Sequence, residues 1–114
     1  MRIIGLDHLA ITVRDVDATC AFYHDVLGMQ VQTFGDGRLA LKFGQQKINI
    51  HQVGHEIDPK ADRPTRGSAD LCLLVEDSLD DVVSALHEHH RLYGSGQSDW
   101  RSWGHRLGVP QEPR

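Results

Sequence analysis

Histidine is the residue type that invites a chemical reading of this sequence. Eight of the 114 residues are histidine, and an imidazole can ligate a divalent metal or carry a proton near neutral pH. Two of them stand inside short apolar runs of strand character. His8 lies within LDHLAITV (Leu6 to Val13), and His51 lies within KINIHQV (Lys47 to Val53). Side chains alternate across a strand, so His8, Ala10 and Thr12 share one face, as do Asn49, His51 and Val53. A single strand histidine is more often a hydrogen-bonded structural group than a ligand. A metal site of both would need the two faces to lie on the same side of one sheet. A neutral imidazole suits zinc, iron, nickel or manganese, so the donor type does not select the ion. His55 sits in a polar stretch where exposure is expected. His87, His89 and His90 follow closely on a helix, where adjacent residues diverge, and read as solvated.

The elements that must position these residues follow from periodicity. After the first strand, Asp15 or Asp17 can cap a helix through a side-chain oxygen. Ala18, Ala21, Phe22, Val26 and Leu27 recur at helical spacing up to Gly28, which is suited to a left-handed helix end. Met29 to Phe34 reads as a second strand, Gly35-Asp36-Gly37 as a tight turn and Arg38 to Phe43 as a third strand. Lys47 to Val53 is the fourth. Residues 55–68 are polar, carry Pro59 and Pro64, and read as a linker. The pattern then restarts: Ala69 to Val75 (ADLCLLV) reads as a strand. Ser78 caps a helix whose apolar face is Leu79, Val82, Val83 and Leu86.

The two halves share the order apolar strand, acidic turn, amphipathic helix. In that register Asp70 falls on His8, 62 residues later, which makes a duplicated module the physical reading. The chain has room for one domain with a real core. Its net charge of −4 speaks against a nucleic-acid partner. No apolar run is long enough to span a bilayer, and no signal-peptide stretch opens the chain, so no membrane and a cytoplasmic location are expected. Cys20 and Cys72 are expected to be small buried hydrophobes in a reducing compartment.

The ordered set HLAITV, FYHDVLGMQV, FGQQKINIH and GSADLCLLV resembles the vicinal-oxygen-chelate (glyoxalase/bleomycin-resistance/dioxygenase) superfamily, and within it the small glyoxalase-domain-containing proteins. The resemblance covers roughly residues 3 to 90. It implies an α+β fold in which paired βαβββ modules form a cupped sheet. One domain would then run through 1–114, with module one at 3–54, the linker at 55–68, a partial module two at 69–90 and an atypical tail at 91–114. It also implies metal ligands on the first and fourth strands, which carries His8 and His51 over as ligands of a divalent metal ion. Asp70 takes the first-strand position of module two, where many relatives place histidine. It would be a third, harder ligand, or a group that hydrogen-bonds the linker. The implied function is a metal-dependent, glyoxalase- or dioxygenase-like enzyme acting on a small substrate chelated through neighbouring oxygens. The alternative is a non-catalytic binding module of bleomycin-resistance type. A homodimer is expected in either case.

The tail departs from that pattern. Arg91 to Arg114 holds both tryptophans and little apolar periodicity, and no segment resembles the DPDGNLIE stretch that often carries a glutamate ligand or base. The second module is therefore expected to be incomplete. Permitted codons for Gly96 to Arg114, read one base later, give ASRTGAHGAIVSVYLRNP, which looks like the missing segment. A shifted reading frame accounts for this. Sequencing the encoding DNA across codons 88–114 is expected to show the shift; an unbroken frame in independent genomic reads would sink the idea.

Overall fold

A computed structural model describes residues 1–93. The chain divides into two units, Met1–Ser68 and Ala69–Arg114, and the division falls where the linker was expected to end.

The first unit holds β1 (His8–Val13), α1 (Val16–Asp25), β2 (Gln30–Phe34), β3 (Arg38–Phe43) and β4 (Gln46–Gln52). This is one βαβββ module of an α+β fold. The strands form a single sheet in the order β1-β4-β3-β2, with β1 parallel to β4 and the other pairs antiparallel. A parallel neighbour demands a long return path, and here the return is α1 followed by two tight turns.

Each turn of α1 has a local cause. Asp15 caps the helix, its Oδ1 accepting the Ala18 N–H at 3.0 Å; Asp17 lies inside the first turn. At the far end Gly28 takes φ +72°, which only glycine adopts without strain. That turn lets the Met29 N–H reach the Tyr23 carbonyl at 3.0 Å and the Gly28 N–H reach that of His24 at 3.1 Å. The helix runs two residues earlier than its apolar spacing suggested. Its buried residues are Thr19, Cys20, Phe22 and Tyr23, while Ala21 is exposed. Alanine is too small and neutral a marker to fix the buried face; the large aromatic pair sets it instead.

The strand register sorts the sheet into two faces. Ile11 pairs with Ile50, which pairs with Leu39, and Leu9 pairs with Ile48, which pairs with Leu41. This is the apolar face, and Ile11, Val13, Ile48, Ile50 and Leu41 are buried on it. With α1 against β2, β3 and β4 it makes the core. The opposite face carries His8, Thr12, Lys47, Asn49, His51, Arg38 and Lys42.

In the second unit α2 spans Leu79–Tyr93. Ser78 caps it, its Oγ accepting the Asp81 N–H at 3.2 Å, and Leu86 is buried. The helix continues through Tyr93, three residues past the point where the family pattern fades; the rest of the tail lies outside the described residues. The strand expected at Ala69 to Val75 does not form. An extended segment becomes a strand only when a neighbour takes its backbone groups, and no further strand exists among the described residues. Leu74 is accordingly fully exposed. Cys72 is exposed for the same reason, against expectation, while Cys20 is buried as expected.

Leu41 is 0% exposed and central to the apolar face. Leu41→Ala is expected to cost about 2–5 kcal/mol in urea unfolding, whereas Val31→Ala at the exposed edge should stay within about 0.5 kcal/mol.

Candidate functional site

The polar face of the sheet gathers the chemistry-bearing side chains of the first unit. In the β1–β4 register His8 lies opposite Lys47, Ala10 opposite Asn49, and Thr12 opposite His51. This register puts His8 and His51 on one face. They stand four residues apart along the strand pair, roughly 14 Å between Cα atoms from strand rise and spacing. The residue diagonal to His8 is Asn49, roughly 8 Å away by the same geometry.

The two imidazoles are held in opposite ways. The Nδ1–H of His8 donates to Oδ2 of Asp7 at 2.8 Å, with the His8 side chain 44% exposed. That bond leaves the Nε2 lone pair pointing away and available, the arrangement seen when a carboxylate orients a ligating histidine. The hydrogen bond from His8 also holds the Asp7 carboxyl below its usual 3.8, although some desolvation opposes it. His51, by contrast, is buried, and its Nδ1 accepts the backbone N–H of Ile57 at 3.3 Å. A neutral imidazole accepting at Nδ1 carries its proton on Nε2. To ligate through Nε2, His51 must give up the Ile57 bond. The loop that brings Ile57 there is itself tied: the Glu56 carboxylate accepts the Gly54 N–H at 3.2 Å.

Other features of this face were not singled out in the sequence. Asn49 is buried and its Oδ1 has no hydrogen-bond partner among the described residues, an unusual state for a buried amide oxygen. The guanidinium of Arg38 and the ammonium of Lys47 both lie 4.9 Å from the centroid of the Phe34 ring. None of this could be found without the inter-strand register. The Asp7-His8 pair is different: adjacency in the sequence was a signal that could have been used.

Asp70 belongs to the second unit and is exposed. Among the described residues no group of three or more His, Cys, Asp or Glu is arranged to hold a metal ion. His55 is exposed, as expected, and His87 likewise, whereas His89 is half-buried. His24 is structural: its Nδ1–H donates to the Met29 carbonyl at 2.8 Å, locking the end of α1.

The family model for the glyoxalase/bleomycin resistance protein/dioxygenase superfamily matches residues 5–106. The chain belongs to that superfamily. Virulence protein STM3117 of Salmonella typhimurium is 51% identical over 86 residues, which cover 75% of this chain and 60% of that one. Its crystal structure superposes with a TM-score of 0.75 at 50% identity, covering 77% of this chain and 70% of that chain. Glyoxalase domain-containing protein RDO1 of Mycosarcoma maydis is 52% identical over 89 residues, 78% of this chain and 50% of its own length. An integron cassette protein from the mobile metagenome of V. cholerae gives a TM-score of 0.75 at 48% identity, covering 78% of this chain and 70% of that one. The chain thus spans between half and three-fifths of the length of the curated relatives it matches. The match to the family model reaches past residue 91, into the segment that the sequence pattern had set apart. No helix among the described residues is long and apolar enough to cross a membrane.

For this superfamily member the two imidazoles make a direct spectroscopic prediction. Nitrogen-15 NMR of the neutral rings should show an unprotonated Nε2 at His8 and a protonated Nε2 at His51. Asp7 should titrate below 3.8, and His8→Ala should return it upward. Because the folded pKa is depressed, the contribution of this pair to stability is complete above the unfolded value. It is lost as pH falls through the folded one. An Asp7 titration unmoved by His8→Ala contradicts the bond.

Proposed function

We propose that this chain is a metal-dependent, glyoxalase-like enzyme that binds a small oxygen-bearing substrate over the polar face of its sheet, with His8 as the anchoring metal ligand. The carrying observation is the Asp7 carboxylate on His8 Nδ1, 2.8 Å away, which orients the ring and leaves Nε2 as a donor. The donor set fits a divalent ion in a second respect. The unpartnered Asn49 Oδ1 is an oxygen donor on the same face, diagonal to His8. To ligate through Nε2, His51 would give up the Ile57 N–H. When bound, such an ion supplies Lewis acidity to neighbouring substrate oxygens. The protein's own part is to aim His8 through Asp7 and to keep Asn49 and His51 shielded from water.

A second reading, a binding module that takes a small molecule without metal, draws its support from His51. Its Nδ1 is already occupied by the Ile57 N–H, so this histidine serves as a structural clip in that case. A homodimer and a cytoplasmic setting are consistent with either reading and belong to the proposal.

Metal analysis of the purified full-length protein separates the two. Retained zinc, iron, nickel or manganese should fall to background in His8→Ala. Asp7→Asn should weaken metal affinity by about 10–100-fold, with His51→Ala reporting how far that ring contributes. Equal metal content in wild type and His8→Ala would falsify the metal reading. Small-molecule binding that survives chelation would then favour the binding module.

A further inference from the structure

We propose that the polar face recognises an oxyanion: the small molecule taken there carries a carboxylate or phosphoryl group held by Arg38 and Lys47 beside the Phe34 ring. This rests on the same face being the site, but not on a metal being present.

The first observation is a segregation of charge. The chain carries 16 acidic residues against 12 basic ones, yet none of the acidic residues lies in β1, β2, β3 or β4. The three cations within the strands, Arg38, Lys42 and Lys47, all fall on the polar face. Asp7 sits just before β1, and its carboxylate is engaged by His8.

The second observation is convergence. Arg38 and Lys47 come from different strands and each places its charge 4.9 Å from one ring centroid. Their charges are thus within about 10 Å of each other, no more than a Debye length at 0.1 M salt. Neither is within ion-pair distance of a carboxylate among the described residues, although Lys47 is near enough to help hold the Asp7 carboxyl down. The negative face of the ring attracts each cation, but it does not neutralise either. An anion between them relieves the repulsion, and the arginine fork matches the paired oxygens of a carboxylate or phosphate. Both side chains are half-buried, so little freedom remains to be lost when a ligand arrives.

The test uses full-length, metal-stripped protein titrated with inorganic phosphate and, separately, with oxalate, at matched ionic strength. Saturable binding of at least one is expected. Lys47→Gln should weaken it about tenfold, the scale of one charge-assisted contact, while Lys47→Arg stays near wild type. Lys60→Gln, in the exposed segment after β4, should change nothing. Should Lys47→Gln fail to fold, Arg38→Gln compared with Arg38→Lys gives the same readout. Preference for oxalate identifies a carboxylate ligand, and preference for phosphate a phosphoryl one. No saturable binding of either probe overturns the proposal, as does equal weakening by Lys60→Gln. The titration is run on metal-stripped protein, so loss of the metal reading leaves its outcome untouched and the two failures are separate results.

Discussion

The parallel pairing of β1 with β4 is the constraint on which the rest of the molecule depends. It sets His8 opposite Lys47 and Thr12 opposite His51, and so decides which side chains meet. A slip of one residue would turn His51 and Asn49 into the apolar core and push Ile48 and Ile50 into water. The register is pinned at the end where β1 hands over to α1. The Val53 N–H bonds the Val13 carbonyl at 2.9 Å. Gln52 adds two contacts, accepting the Val16 N–H and donating to the Arg14 carbonyl. One side chain at the tip of β4 thereby ties strand, turn and helix start together.

Much of this architecture was legible because local physics settles it. Asp15, Gly28 and the Gly35-Asp36-Gly37 turn mark their boundaries by chemistry that needs no distant partner, and β3 fell on the residues expected of it. Other features depend on partners that a linear reading does not contain. Ala69 to Val75 has the composition of a strand, but composition cannot supply the neighbouring strand it lacks among the described residues. Cys72 followed it into exposure. Alternation grouped His8 with Thr12 and His51 with Asn49 within their own strands; that the two groups share a face, four residues apart, needed the register. The convergence of Arg38 and Lys47 on Phe34 needed three strands at once.

The two histidines show how one residue type is given two tasks by its neighbours. Both stand in apolar strands and both use Nδ1, yet one donates and the other accepts. Asp7 precedes His8 directly, so its carboxylate turns an exposed imidazole into an oriented donor with a free Nε2. Ile57 reaches His51 from a loop six residues on, and its N–H commits a buried ring to holding that loop. Ligation by His51 through Nε2 would therefore break the loop contact. That coupling would make metal binding at His51 also an event in the segment leading out of the first unit.

Asn49 ties these arguments together. A buried amide oxygen without a partner costs about 1–3 kcal/mol, and none of the described residues donates to this one. Replacing it with an apolar residue of similar size would remove that cost, so stability alone gives no reason for asparagine here. Its position does: it lies diagonal to His8, and its strand also carries Lys47 and His51. The unmet acceptor asks for a cation or a hydrogen-bond donor, while Arg38 and Lys47 ask for negative charge. A metal ion with an anionic, oxygen-bearing molecule satisfies both, and so does an anion that also carries a hydroxyl. The two functional readings therefore divide at one atom, Oδ1 of Asn49, and differ in whether it faces a metal or a proton.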